Sequence, residues 1–195
     1  MLRPLVACLF LSGCTAHVRI EAVDVAGLPV ADAIVEARGR AAGSPWEFEL
    51  DPGPLDVVVV HDAQRIKWHG KVRRGKRVLR IGPMPEGKPG DRSQKSISDG
   101  LGKVSRDLES CYADELRGNR RLAGRIVIRF TIEPDGKTSG VYVEDSTVVD
   151  EALESCMVGA FARLDFVETS EGLVVVRFPI ELRSIERVDR RIGPD

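Results

Sequence analysis

The 195-residue chain has no excess of charge of either sign, because 29 lysines and arginines stand against 30 aspartates and glutamates. A net charge of -1 creates no broad electrostatic field, so the composition does not indicate nucleic acid as a partner. Histidine is scarce, with three in the chain and none after His69. The sequence shows no serine–histidine–aspartate set, phosphate-binding glycine loop or paired-carboxylate motif, so it predicts a protein without catalytic residues or a cofactor.

Long apolar runs are missing as well, apart from a short one at the N-terminus. Residues 5–10 follow Arg3 and are too few to span a bilayer as a helix. Residues 11–14, a leucine, a serine, a glycine and a cysteine, come directly after this run. The order of these features favours an export signal over an ordinary apolar strand with a chance cysteine.

Residues 11–14 resemble the lipobox of bacterial lipoproteins, in which two small residues precede a cysteine that receives diacylglycerol. The resemblance implies that residues 1–13 are a signal peptide and that the mature chain begins at Cys14, which carries the lipid. A lipid-anchored protein of the cell envelope is therefore expected, with the membrane as its first partner. Thr15 stands where an aspartate would favour the inner membrane, so we expect the periplasmic side of the outer membrane.

The four cysteines are Cys8, Cys14, Cys111 and Cys156. Cys8 would leave with the signal and Cys14 would carry the lipid, which leaves two in the C-terminal half. An even pair in an exported protein predicts one disulfide, between Cys111 and Cys156. Two unpaired buried thiols are the first alternative. A redox-active pair is the second, although reactive pairs usually stand close together in the sequence, as in Cys-x-x-Cys.

Residues 14–84 carry strand signals throughout, because apolar and polar residues alternate between turns rich in glycine and proline. Six or seven short strands of this kind predict an all-β sandwich. Residues 24–35, with a turn at Gly27 and Pro29 and a strand through Val35, resemble the opening of carboxypeptidase regulatory-like domains. The resemblance implies an Ig-like or prealbumin-like sandwich without a catalytic role.

Residues 85–96 contain two prolines, two glycines and no large apolar residue, so they predict a linker. Residues 97–184 then show helical and strand periodicities in the order α-β-β-α-β. Ser98 is the predicted cap of the first helix and Asp150 that of the second. Residues 185–195 are predicted to form a charged tail.

Several stretches of residues 97–184 resemble the C-terminal domain of AgmX/PglI-type proteins, a TonB-like family. The shared stretches are residues 111–116, 122–137, 141–146, 154–157, 164–166 and 174–179. The family usually has a Trp-Arg-Phe-Pro run after the second helix, whereas this chain has Leu164 and Asp165 in place of the tryptophan and arginine. The resemblance implies a TonB-like α+β domain that binds other proteins.

Eight basic residues and no acidic one occur between Arg65 and Arg80. Strand alternation places several of them on one exposed face, namely Arg65, Lys67, Lys71 and Arg73. This face is either an anionic docking surface, for a glycan, a lipid headgroup or a cell-wall peptide, or simply a solvated face. His61, Asp62 and His69 are the only hint of metal binding, and nothing else in the sequence supports it, so no metal site is expected.

The last predicted strand offers an edge for an extended peptide at Val174, Val175, Val176 and Arg177, unless it merely closes its sheet. The sequence therefore predicts a lipid-anchored, non-catalytic interaction or scaffolding module of the envelope, in motility or envelope machinery. Its partner would be an unidentified envelope protein. The alternatives are a lipoprotein that binds peptidoglycan or another anionic glycan, and a thiol-redox enzyme.

Overall fold

The computed structural model of the chain describes residues 15–168 and 172–184. The predicted lipid attachment at Cys14 and the predicted tail of residues 185–195 lie outside the described residues. The described chain is mostly β-sheet and divides into two compact units. Unit 1 consists of residues 15–86 and 142–149, and unit 2 of the remaining described residues, 87–141 and 150–184.

Unit 1 contains seven complete strands, as the alternating segments of its sequence lead one to expect. They are β1 (Ala16–Ala22), β2 (Ile34–Ala37), β3 (Arg40–Gly43), β4 (Trp46–Leu50), β5 (Gly53–His61), β6 (Gln64–Val72) and β7 (Gly75–Ile81). The antiparallel order β3-β2-β5-β6 forms one sheet, and β4-β1-β7 lies in the other. In the second sheet β1 runs antiparallel to β4 and parallel to β7.

The two sheets of unit 1 share one apolar core. In β1 every second residue is buried, and the same alternation in β5 buries Leu55, Val57 and Val59. These side chains belong to one buried cluster with Val35 of β2 and Leu79 of β7, so both sheets contribute their inner faces to it. Burial of this apolar surface is the main force holding the unit together.

Unit 2 contains the helices of the described chain. Its elements are α1 (Gln94–Leu101), α2 (Ser105–Gly118), β8 (Gly124–Ile132), the start of β9 (Thr138–Ser146), α3 (Glu151–Ala162) and β10 (Val174–Leu182). A turn at residues 134–137 joins β8 to β9, where the Glu133 amide donates to the Lys137 carbonyl at 2.8 Å. Asp150 caps α3 as predicted, because its Oδ1 accepts a hydrogen bond from the Leu153 amide at 3.1 Å.

The predicted single first helix is instead two helices. Ser93 rather than Ser98 is the cap of α1, since its side chain accepts a hydrogen bond from the Ser96 amide. Residues 102–104 then form a turn before α2 begins, in which the Lys103 amide bonds to the Gly100 carbonyl, three residues back, and the Val104 amide to that of Leu101. Glycine disfavours a helix interior by about 1 kcal/mol relative to alanine, and two glycines stand at this break. The apolar periodicity of residues 97–116 continues across the break, so the sequence pattern did not predict where the helix ends.

The predicted linker of residues 85–96 also differs from an extended connection. Residues 94–96 lie in α1, and the segment 88–90 pairs with Leu173 through two backbone hydrogen bonds of 2.8 Å. Arg92 is buried, and its guanidinium donates to the Val167 carbonyl and lies over the Phe166 ring. Backbone hydrogen bonds and one arginine order this segment, which composition alone does not predict.

Candidate interaction surfaces

β10 runs antiparallel to β8, with Val174 opposite Ile132 and Leu182 opposite Gly124. Its alternate residues Val174, Val176 and Phe178 point to the side of the helices, where the Phe178 ring lies 5.5 Å from that of Phe161. Among the described residues β10 has a strand neighbour on one side only. The predicted edge at residues 174–177 is therefore on an outer strand.

The hydrogen-bond pattern shows which backbone groups of β10 face outward. The Leu173 amide and carbonyl both bond to residues 88–90, on the side away from β8. In an antiparallel pair the outward direction alternates with each residue, so Val175, Arg177 and Pro179 face the same way. Pro179 has no amide proton, and an outward position is the one that such a residue tolerates in a strand. The outward amide of Val175 is therefore on this edge, and Pro179 interrupts the row.

The basic residues predicted as an anionic docking surface lie on β6 and just after it, and all are exposed. They do not form a purely basic face. The Arg65 guanidinium lies 2.6 Å from a carboxylate oxygen of Glu36, on β2, and Asp56 of β5 bonds to His69. Neighbouring strands thus supply carboxylates that the stretch from Arg65 to Arg80 lacks.

The outer face of β1 and its neighbours carries a charge network. Arg19 bonds to Glu21 at 2.6 Å and to Glu47 at 2.9 Å, and Arg80 bonds to the other oxygen of Glu21. The hydrogen bond to Glu21 and the charge of both carboxylates raise the pKa of Arg19. Positive and negative groups alternate here, so this face presents no surface of one sign.

The three histidines do not converge. His61 contacts Asp32 at 3.1 Å, His69 contacts Asp56, and His17 lies 3.2 Å from Glu49. No group of three or more possible metal ligands occurs within residues 15–168 and 172–184. His17 and His69 each contact one carboxylate at the surface, and His61 contacts two, since its Nδ1 also lies 3.6 Å from Asp62.

The sulfur atoms of Cys111 on α2 and Cys156 on α3 form the predicted disulfide, with the two Cα atoms 5.8 Å apart. The bond joins helices whose apolar faces pack together. Next to it, the Tyr112 hydroxyl lies 2.5 Å from the Leu122 carbonyl and 3.0 Å from that of Arg183, and burial raises its pKa. The disulfide thus links α2 to α3 within unit 2, and neither cysteine is a free thiol.

Asp165, at the position where the family resemblance would have an arginine, also has a defined role. Its carboxylate lies 2.6 Å from the Lys137 Nζ, across the turn that joins β8 to β9. The hydrogen bond and the charge of Asp165 raise the pKa of Lys137. Asp165 therefore holds the Lys137 side chain at the turn between β8 and β9 through an ion pair.

No protein-family model and no curated protein sequence matches the chain. Among solved structures, it is similar to the solution structure of the TonB C-terminal domain from Helicobacter pylori, with 18% identity and a TM-score of 0.31. That match covers 50% of this chain and 98% of the domain. It is also similar to a crystal structure of a protein of unknown function from Bacteroides fragilis, with 9% identity and a TM-score of 0.34. That match covers 88% of this chain and 84% of the other. Similarities this weak do not establish a shared fold.

No helix among the described residues combines the length and the apolar character needed to cross a bilayer.

Proposed function

We propose that this chain is a lipid-anchored protein of the bacterial cell envelope that binds another envelope protein and has no catalytic role. Unit 1 is the part next to the anchor, an Ig-like or prealbumin-like sandwich that serves as spacer or docking unit. Unit 2 is a TonB-like module of the AgmX/PglI type. The lipid on Cys14 holds the protein at the periplasmic side of the outer membrane, and the edge of β10 takes an extended segment of the partner.

The outward edge of β10 is the observation that supports the interaction role most directly. An exposed edge with unpaired donors and acceptors accepts an extended peptide, and most edges in natural proteins are blocked along their length. In this chain the segment 88–90 occupies the position beside Leu173 and Pro179 interrupts the far end. The stretch between them, around Val175, is the proposed place for a short partner strand.

Lipid anchoring is tested by mass spectrometry of the protein purified from its native host. We expect a chain that begins at Cys14 and carries acyl groups, and a Cys14→Ser variant that lacks them. A full-length, unacylated chain recovered from the cytosol would contradict the anchor.

Edge binding is tested with two substitutions at one residue in the full chain. Val175→Pro removes an outward amide and adds a ring at the edge, while the bonds between β10 and β8 stay in place. Val175→Ala keeps the amide and is the matched control. A photoactivatable crosslinker at Arg177 should capture a discrete envelope protein in the parent and in the Ala variant, and lose it in the Pro variant. Equal capture by both variants would show that the partner does not add to this edge.

The two alternative functions are separated by simple measurements. A thiol-redox enzyme requires Cys111 and Cys156 to cycle between oxidised and reduced states, so rapid alkylation of the native protein after mild reduction would favour it. A glycan-binding lipoprotein would sediment with isolated peptidoglycan, and it would no longer do so when Lys67 and Lys71 are both replaced by glutamate. The carboxylates of Glu36 and Asp56 beside this row weigh against the glycan.

A further inference from the structure

Four basic side chains lie at the end of unit 1 where β1 begins. They are Lys71, Arg73, Arg74 and Lys76, which we call the basic turn because they lie at and around the connection from β6 to β7. All four are exposed, and within the described residues none has a carboxylate oxygen within ion-pair distance of its side chain. Arg38 adds a fifth cation, since its guanidinium bonds to the carbonyl of Pro54, the residue opposite Lys71.

Acidic side chains are outnumbered at this end of unit 1. Asp51 is the one acidic residue of the adjoining turn, residues 51–54. Glu49, on the strand before that turn, contacts His17. Five cations therefore stand against three carboxylates at this end, those of Glu49, Asp51 and Asp56, of which Glu49 and Asp56 contact histidines. The face around Arg19 is mixed, and Arg65 has Glu36 as its partner.

The basic turn is tied directly to the start of the chain. Gly75 pairs with Ala16, the first residue of β1, and the Gly75 amide lies 3.4 Å from the Thr15 carbonyl. Thr15 directly follows Cys14 in the sequence, and Ala16 is already fully buried in the core. No spacer of more than one residue separates the predicted lipidated cysteine from the folded unit.

We propose that the basic turn, together with Arg38, binds the anionic phospholipid headgroups of the leaflet in which the anchor is inserted. This inference rests on the proposed acylation of Cys14 for its orientation. Electrostatic attraction to an anionic leaflet extends over about a Debye length, roughly 8 Å at physiological ionic strength. Because Gly75 pairs with Ala16, the turn that contains Gly75 adjoins the proposed attachment point. The acyl chains supply the attachment, and the cations fix which end of unit 1 meets the surface.

The test measures binding to vesicles without the acyl chains, so that its result does not depend on whether Cys14 is modified. The full chain carrying Cys14→Ser is mixed with phosphatidylcholine vesicles and with vesicles that also contain phosphatidylglycerol, and bound protein is measured by sedimentation. The ratio of the two affinities cancels any contribution of the apolar residues 5–10, which is the same for both vesicle types. We expect a ratio well above one that falls as salt is raised.

Arg73→Gln with Arg74→Gln removes two charges from the basic turn, and Arg65→Gln with Lys67→Gln removes two charges from the first half of β6, away from that turn. Each cation near an anionic surface strengthens binding roughly fivefold, so the first pair should lower the ratio at least about tenfold. The second pair should change it less than about threefold. An equal loss in both variants would show an effect of net charge alone and overturn the proposal, as would an unchanged ratio in the first.

The two proposals fail in different ways. If mass spectrometry finds no acyl group but the basic turn still selects phosphatidylglycerol, the surface stands without the anchor. If Cys14 is acylated and the vesicle ratio is near one, the anchor stands and the basic turn is a solvated connection.

Discussion

Arg77 and Asp145 form a bidentate ion pair inside unit 1, although they are 68 positions apart in the sequence. The Arg77 Nε lies 2.8 Å from one oxygen of Asp145, and Nη2 bonds to the other. Both side chains are nearly buried, with 12% and 13% of their surfaces exposed. Together with the pairing of Val78 with Ser146, this contact assigns residues 142–149 to unit 1.

Because the pair is nearly buried, removal of either partner should be costly. Arg77→Ala or Asp145→Ala leaves an uncompensated charge away from water, which typically costs about 3–5 kcal/mol of unfolding free energy. The double variant should lose much less than the sum of the two. Both tryptophans, Trp46 and Trp68, lie in unit 1, so denaturant unfolding followed by tryptophan fluorescence measures the effect.

The exposed pair between Arg19 and Glu47 is the control for that measurement, since 44% and 66% of these side chains are exposed. Glu47→Ala should cost less than about 1 kcal/mol. Strictly additive losses at Arg77 and Asp145 would mean that the contact contributes no coupling energy.

The disulfide should account for a large part of the stability of unit 2. Its two cysteines are 45 residues apart, and the chain-entropy model gives about 4 kcal/mol for a loop of this size. Cys111→Ala with Cys156→Ala should therefore lower the denaturant midpoint of the helical circular-dichroism signal, because every helix in the described residues lies in unit 2. The reduced parent chain should unfold at nearly the same midpoint as the double variant, and a midpoint unaffected by reduction would rule out this role.

Gly136 should resist substitution for two separate reasons. Its φ of +86° favours glycine, and an added Cβ would lie 2.2 Å from the Phe166 carbonyl oxygen. We expect Gly136→Ala to cost more than about 2 kcal/mol, of which backbone strain is about 1–2 kcal/mol. Gly39→Ala isolates the strain, since Gly39 has a φ of +71° and no atom within 4 Å of the added carbon. If Gly136→Ala and Gly39→Ala lost the same unfolding free energy, the close contact with Phe166 would contribute nothing to the cost at Gly136.

The cap of α3 gives a smaller and well-defined effect. Asp150→Ala removes the acceptor of the Leu153 amide and should cost about 1 kcal/mol in the unfolding of unit 2. Asp150→Ser keeps an oxygen acceptor and should lose only a few tenths of that. A serine variant as unstable as the alanine variant would show that the hydrogen bond is not the source of the effect.

Local patterns predicted the features that depend on neighbouring residues. The alternation of β1, the turn before Lys137 and the cap at Asp150 each follow from residues close together in the chain. The partners of Arg65 and Arg77 did not follow, because Glu36 and Asp145 come from distant strands and no local periodicity records them. The basic stretch therefore looked uniform in the sequence, whereas the fold pairs Arg65, Arg77 and Arg80, near its two ends, with carboxylates and leaves the cations near Gly75 exposed to solvent.

The strand that completes unit 1 is encoded after most of unit 2. A Cβ on Gly27 would lie 2.4 Å from the Tyr142 Cβ, so Tyr142 covers that glycine just as Asp145 neutralises Arg77. A chain truncated near residue 86 would lack residues 142–149, so the core of unit 1 would be incomplete and the Arg77 guanidinium would have no carboxylate partner. During synthesis, unit 1 therefore cannot complete its fold until residues 142–149 have been translated.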